Sequence, residues 1–334
     1  MNSVVNKKDL EDLGYLKIEI SKDLDIAKEI NELRNKKNAV ILAHYYQDGK
    51  IQDIADFVGD SLDLSRKAAN TNADIIVFSG VHFMAETAKI LSPGKKVLLP
   101  DLKAGCSLAE ACPVKEFKEF LKKYPDHTVI SYINTTAEIK ALSDIICTSS
   151  NAHEIINYLP GDEKIVFAPD KNLGNYIKSI SNRDMVVWNG ACHVHEEFSL
   201  EKTLELKEEN PDAKLIAHPE CEKPLLLIAD HIGSTSSLLK YTISDNSNKY
   251  IVATEAGIIH QMKKANARKT FIPAPPKDST CGCSECNFMK LNTMEKIYTC
   301  LKYELPEIIM DENLRIKAEK PILRMLEISE KLGL

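Results

Sequence analysis

The chain has 334 residues, 44% of them hydrophobic and 28% charged, the balance of a water-soluble globular protein long enough for two or three domains. Lys and Arg total 43 against 49 Asp and Glu, a formal charge of −6, and no basic stripe runs along the chain, which argues against nucleic acid or a membrane surface as partner. The N-terminal stretch "MNSVVNKKDLEDLGY" lacks the apolar core of a signal peptide, and the longest strongly apolar run, "PLLLIA" at 224–229, is far too short to span a bilayer. A cytoplasmic protein is expected, and there nine cysteines point to metal binding or reactive thiols rather than to a disulfide frame.

In chain order, "SKDLDIAKEINELRNK" (21–36) is an amphipathic helix leading into nine short β-branched runs. The first three are "AVILAHYY" (39–46), "DIIVFSG" (74–80) and "KVLLPD" (96–101). Then come "TVISYIN" (128–134), "KIVFAPD" (164–170) and "MVVWNG" (185–190), followed by "KLIAHPE" (214–220), "YIVATEAG" (250–257) and "TFIPAP" (270–275). Helix-length segments separate most of them, the pattern of parallel sheets covered by helices on both faces. After about residue 292 further helices are expected, packing back on the first unit.

The nine runs fall into three sets that align with one another. His44, Tyr132 and His218 lie just past the first run of each set, at spacings of 88 and 86 residues. The triplets "GDS" (59–61), "TSS" (148–150) and "GST" (233–235) follow at similar intervals, 17 residues from His44 to Ser61, 17 from Tyr132 to Ser149 and 16 from His218 to Ser234. Three duplicated α/β units are predicted: residues 1–105, with the C-terminal helices 290–334 packed on them, then 106–191 and 192–289. Ligands of open α/β sheets gather at the carboxyl ends of strands. Three units around a pseudo-threefold axis bring those ends together.

Cys106 follows the third run of unit one and Cys192 that of unit two, while the longer loop of unit three holds Cys281, Cys283 and Cys286. Converging thiolates favour zinc, copper(I) or an iron–sulfur cluster. Three widely spaced ligands suit a 4Fe–4S cluster with one open iron better than a closed four-ligand zinc site. Cys112, Cys147, Cys221 and Cys300 read as buried small hydrophobes. Two other readings compete. Gly59-Asp60-Ser61-Leu62 spells a GDSL hydrolase motif, but a helix-length segment precedes Ser61 and the last histidine is His260. A metal- or redox-sensing regulator explains the cysteines but not the triplets or the strand-end His and Tyr residues.

The motifs "AHYYQ", "GDSLDLS", "GVHFMAETAKIL", "GCSLA", "YINTTAEIKALSD", "CTSSNA", "HPEC", "GSTS", "VATEAGIIH" and "CSECNFMKLNT" resemble those of the quinolinate synthase family, from about Ala39 to Tyr298. The resemblance implies an α/β fold of three pseudo-symmetric αβα domains, each with a small mainly parallel sheet, around a central cleft. It also implies condensation of iminoaspartate with dihydroxyacetone phosphate, with a 4Fe–4S cluster as Lewis acid and a functional link to the L-aspartate-oxidising enzyme. By motif, His44, Tyr46, Tyr132, His195 and Glu220 carry the acid–base work, and His44, Tyr132, Asn134, His218 and Glu220 bind substrate. The resemblance implies Cys106, Cys192 and Cys286 as the cluster ligands. Both substrates are anions, so Ser61, Ser149, Ser234 and Thr235 of the triplets, opening helices, are expected to bind them. Cys281 and Cys283 are expected not to be ligands, and two readings stay open: oxidation pairs Cys283 with Cys286 as a redox brake, or both are spare thiols.

Overall fold

Every β-branched run read from the sequence forms a strand in the computed structural model, which describes residues 8–278 and 284–334. The reason is burial on both faces: in β1 (Ala39–His44) all side chains but the first are buried, and in β3 (Ile75–Ser79) all five are. With β2 (Phe57–Gly59) and β4 (Lys96–Leu98) these make a parallel sheet in the order β2-β1-β3-β4. A second sheet contains β5 (Thr128–Tyr132), β6 (Ile145–Cys147), β7 (Ile165–Ala168) and β8 (Met185–Val187), in the order β6-β5-β7-β8. The third contains β9 (Lys214–Ala217), β10 (His231–Ile232), β11 (Lys249–Ala253) and β12 (Thr270–Pro273), in the order β10-β9-β11-β12.

The three sheets therefore have one topology, and all their strand pairings are parallel. Each has four strands where three were expected. The additional edge strands β2, β6 and β10 are two or three residues long, too short for a hydrophobic run. An aspartate enters each of them. Asp56, Asp144 and Asp230 accept from the backbone N–H groups of Ile41, Val129 and Leu215 at 2.8, 2.8 and 2.7 Å, each bond spanning 15 residues. Each aspartate N–H returns a bond to the carbonyl of the same strand residue, at 2.9, 2.9 and 2.7 Å. The capped strand edges repeat at the spacing of 88 and 86 residues that aligned the sequence.

The chain divides into two compact units, residues 1–106 with 287–315 and residues 107–286 with 316–334. The first unit holds the β1 sheet, whose core of Ile41, Ala43, Ile75, Val77 and Leu98 is closed by Ile30, Ile297 and Leu301. Those residues come from the helices Ile26–Lys36 and Met294–Tyr303. The second unit holds the other two sheets, with cores around Phe117, Val129 and Val166 and around Leu215, Leu225 and Ile251. Each buried aliphatic side chain contributes about 1.5–3 kcal/mol. The fold is α/β, three four-stranded parallel sheets sandwiched by helices. No helix among the described residues is long and apolar enough to cross a membrane.

Candidate active site

The carboxyl end of the first strand of each sheet carries two chemical side chains, one at the strand end and one two residues on. They are His44 and Tyr46, Tyr132 and Asn134, and His218 and Glu220. The loops share a device. His44 Nδ1 accepts the Tyr46 N–H at 3.2 Å, and His218 Nδ1 accepts the Glu220 N–H at 3.3 Å. In a neutral ring that places the proton on Nε2, facing away from the loop.

In the second unit the structure brings five of the expected residues together. Tyr132 donates its O–H to Glu220 Oε1 at 2.6 Å, and His195 Nδ1 lies 3.0 Å from Glu220 Oε2. The His195 and His218 rings stack with centroids 4.8 Å apart, and His218 Nε2 meets Ser149 Oγ at 3.2 Å. Tyr132, His195, His218 and Glu220 are all buried. Burial alone would raise the Glu220 carboxyl. The charge of the His195 imidazole, with hydrogen bonds from His195 and Tyr132, instead holds it down at about 2. His195 dominates over His218 by geometry, since His218 Nδ1 is 3.8 Å from Oε1 and already takes the Glu220 N–H. Asp170, fully buried at the end of β7, goes the other way. Burial and then the charge of Glu220 push it well above the carboxylate range, against N–H donors from Leu173, Cys192 and Asn172. Of this carboxyl pair, Glu220 carries the charge.

Cys192 N-caps the helix His193–Glu196, and its Sγ lies 3.2 Å from His195 Nδ1. Cys192, His195 and Glu220 thus offer three ligand atoms within 4.8 Å of one another. A single zinc ion spreads its ligands to roughly 3.3–3.7 Å apart. Here His195 Nδ1 lies 3.2 Å from the sulfur and 3.0 Å from the carboxylate oxygen, so its single N–H faces two acceptors, an arrangement tighter than an ion cage.

The free thiols divide sharply. Cys112, Cys147, Cys221 and Cys300 are buried, as expected for small hydrophobes. Burial pushes the Cys112 thiol up to about 12 and raises the other three strongly as well. Cys106, Cys192 and Cys286 are only half-buried. Metal ligation needs thiolate, so these three fit a cluster and the buried four do not. Two hydrogen bonds lie within the second unit near these positions. Ser107 and His193, the residues directly after Cys106 and Cys192, meet at 2.8 Å between Oγ and Nδ1. Cys286 donates its N–H to Glu255 Oε1 at 3.1 Å. Cys281 and Cys283 lie outside the described residues, and with them both readings of Cys283.

The triplets open helices, with variations in which residue caps. Asp60, not Ser61, N-caps the helix Ser61–Asn70, accepting from Leu62 and Asp63 N–H at 3.1 Å each. Asn151 stands at the cap of Ala152–Tyr158, leaving Ser149 to His218. Ser234 N-caps Thr235–Ser244 through the Ser237 N–H, which occupies a lone pair and leaves its own O–H proton to donate. In the first unit the His44 and Tyr46 rings meet edge to face at 4.3 Å. Lys290 donates to Tyr46 O at 3.0 Å.

Sequence reasoning missed Thr254, which meets His195 Nε2 at 3.1 Å, and Glu255, which holds Cys286. Both stand in the quoted motif "VATEAGIIH" at the end of β11, the position where a strand-end rule would have found them. It also missed Asp170 and Gly190. A Cβ on Gly190 would come within 2.6 Å of Pro169 O, so only glycine lets the segment leading to Cys192 lie against the end of β7.

An ionised carboxylate, paired imidazoles and a phenol at strand ends are equipment for proton transfer, and fold and site together define an α/β enzyme. A family model described as "Quinolinate synthetase A protein" matches residues 28–327. The quinolinate synthase of Thermosynechococcus vestitus is 60% identical over 306 residues, 92% of this chain and 96% of the relative. That of Chloroherpeton thalassium is 56% identical over 307 residues, 92% and 95% of the two chains. The chain belongs to the quinolinate synthetase A family.

Proposed function

We propose that the protein condenses iminoaspartate with dihydroxyacetone phosphate to quinolinate, phosphate and two waters, a step of de novo NAD synthesis, in the cytoplasm. The observation that carries the reading is the Tyr132–Glu220–His195 relay beside a half-buried thiol, in a chain whose relatives are named for quinolinate synthesis. Cys106, Cys192 and Cys286 would hold a 4Fe–4S cluster, each thiolate following the last strand of one of the three sheets, in a chain of three domains, 1–105, 106–191 and 192–289. Its open iron would supply Lewis-acid chemistry toward a substrate oxygen.

Around it the side chains divide the work. Glu220, held ionised, accepts a proton, and His195 and Tyr132 return one, each such step adding on the order of 10²–10⁴-fold. Burial keeps bulk water from competing for those protons. His44 and Tyr46 present an Nε2–H and a phenol O–H to the substrate oxygens. Asn134, Ser149, His218, Ser61, Ser234 and Thr235 bind the carboxylates and the phosphate through O–H, N–H and imidazole donors. The unstable imine has to be supplied by an L-aspartate-oxidising enzyme, the partner this reading requires.

The test is an anaerobic assay on protein reconstituted with iron and sulfide. Formation of quinolinate from the two substrates is expected. No product from protein carrying its full iron would refute the reading.

A further inference from the structure

The three sheets provide an internal comparison. Eight residues beyond each first-strand end stand Gln52, Lys140 and Leu226. Gln52 Nε2 donates to the carbonyls of Tyr45 and Gln47 at 2.9 and 2.8 Å. Lys140 Nζ donates to the carbonyls of Ile133, at 2.9 Å, and Thr135. These carbonyls occupy the same two places, one and three residues past the strand end. A neutral amide and an ammonium thus make the same clamp, and both are buried, Lys140 completely. Burying an ammonium costs far more than burying an amide, so the clamp alone does not account for the charge.

The peptide between the clamped carbonyls is where the loops differ. In the first and third loops its counterpart N–H, on Tyr46 and Glu220, is taken by a histidine Nδ1. In the second loop Tyr132 replaces that histidine and turns its hydroxyl to Glu220. The Asn134 N–H then makes no hydrogen bond among the described residues, and the buried Asn134 Oδ1 has no partner either. The Ile133–Asn134 peptide is trans, so its N–H points opposite to the carbonyl that Lys140 holds. A donor without a partner among the described residues thus points away from the buried ammonium.

We propose that Lys140 is a positioning residue for anion binding. Its ammonium aligns and polarises the Ile133–Asn134 peptide so that the Asn134 N–H takes a carboxylate or phosphate oxygen of the substrate. The inference rests on the anionic substrates of the proposed function and adds to it a charge that touches no substrate. It is the cation, not the clamp, that supplies affinity.

The decisive variant is Lys140→Gln, because Gln52 makes this clamp in the same protein. Binding of quinolinate and of inorganic phosphate to cluster-loaded protein is measured at equilibrium, with melting temperature and steady-state kinetics alongside. Lys140→Gln should melt at or above the wild-type temperature and keep its iron. It should bind at least one anion on the order of tenfold more weakly, and the loss should appear in KM more than in kcat. Which anion weakens tells whether the Asn134 N–H serves carboxylate or phosphate. Lys140→Met should lose affinity and melting temperature together. Wild-type affinity for both anions in Lys140→Gln would overturn the proposal and leave the proposed function standing. If wild-type protein bound neither anion, both would fall.

Discussion

The loop after β1 and the loop after β9 solve one backbone problem with different chemistry. In both, a histidine at the strand end takes the N–H two residues on, at 3.2 and 3.3 Å, and the residue after that returns its own N–H to the histidine carbonyl at 3.0 Å. The first loop is then held by polar side chains, Gln52 from the next helix and Lys290 from the segment after Cys286. The third is closed by apolar Leu226 and by Cys221, whose thiol reaches Ala253 O at 3.3 Å. What the loops present also differs: a half-buried phenol in one, a buried carboxylate tied to Tyr132 and His195 in the other. The repeat keeps the frame and varies the side chains at two positions per frame.

That contrast ranks the variants. Glu220→Gln keeps size but removes the group whose charge the whole network serves, and Tyr132→Phe removes its hydrogen-bonded donor. Both should retain iron while turnover falls on the order of 10²–10⁴-fold, read by single-turnover assay. Near wild-type rates in both would make these strand ends structural. A smaller and equal effect is expected where the frames coincide. Asp56→Ala and Asp230→Ala each free one strand-edge N–H, and each should lower stability by about 1–3 kcal/mol in denaturant unfolding. A clear inequality would mean that the first and third sheets are not held alike.

Much of this frame was legible in the residues because it is periodic. Nine apolar runs, the strand-end His44, Tyr132 and His218 and the three triplets repeat at a spacing that chance does not supply. The edge strands were not legible, since two or three residues carry no period. Their aspartates were, in principle: Asp56, Asp144 and Asp230 share the repeat spacing, but only folding shows that each reaches a strand residue 15 positions back. Thr254 and Glu255 were hidden for another reason. They act through His195 and Cys286, and a motif announces residue types without saying which other residue each one holds. Lys140 was hidden most completely, because a lysine in "TTAEIK" reads as a solvated helix face and only the structure buries it.

The central claim, one half-buried thiolate from each sheet and no others, is tested most directly by iron and sulfide content after anaerobic reconstitution of single cysteine variants. Cys106→Ala, Cys192→Ala and Cys286→Ala should each lose the full complement of about four irons and four sulfides per chain. Cys281→Ala and Cys283→Ala should keep it. A Cys286→Ala protein that retains the cluster, beside a Cys283→Ala protein that loses it, would contradict the account.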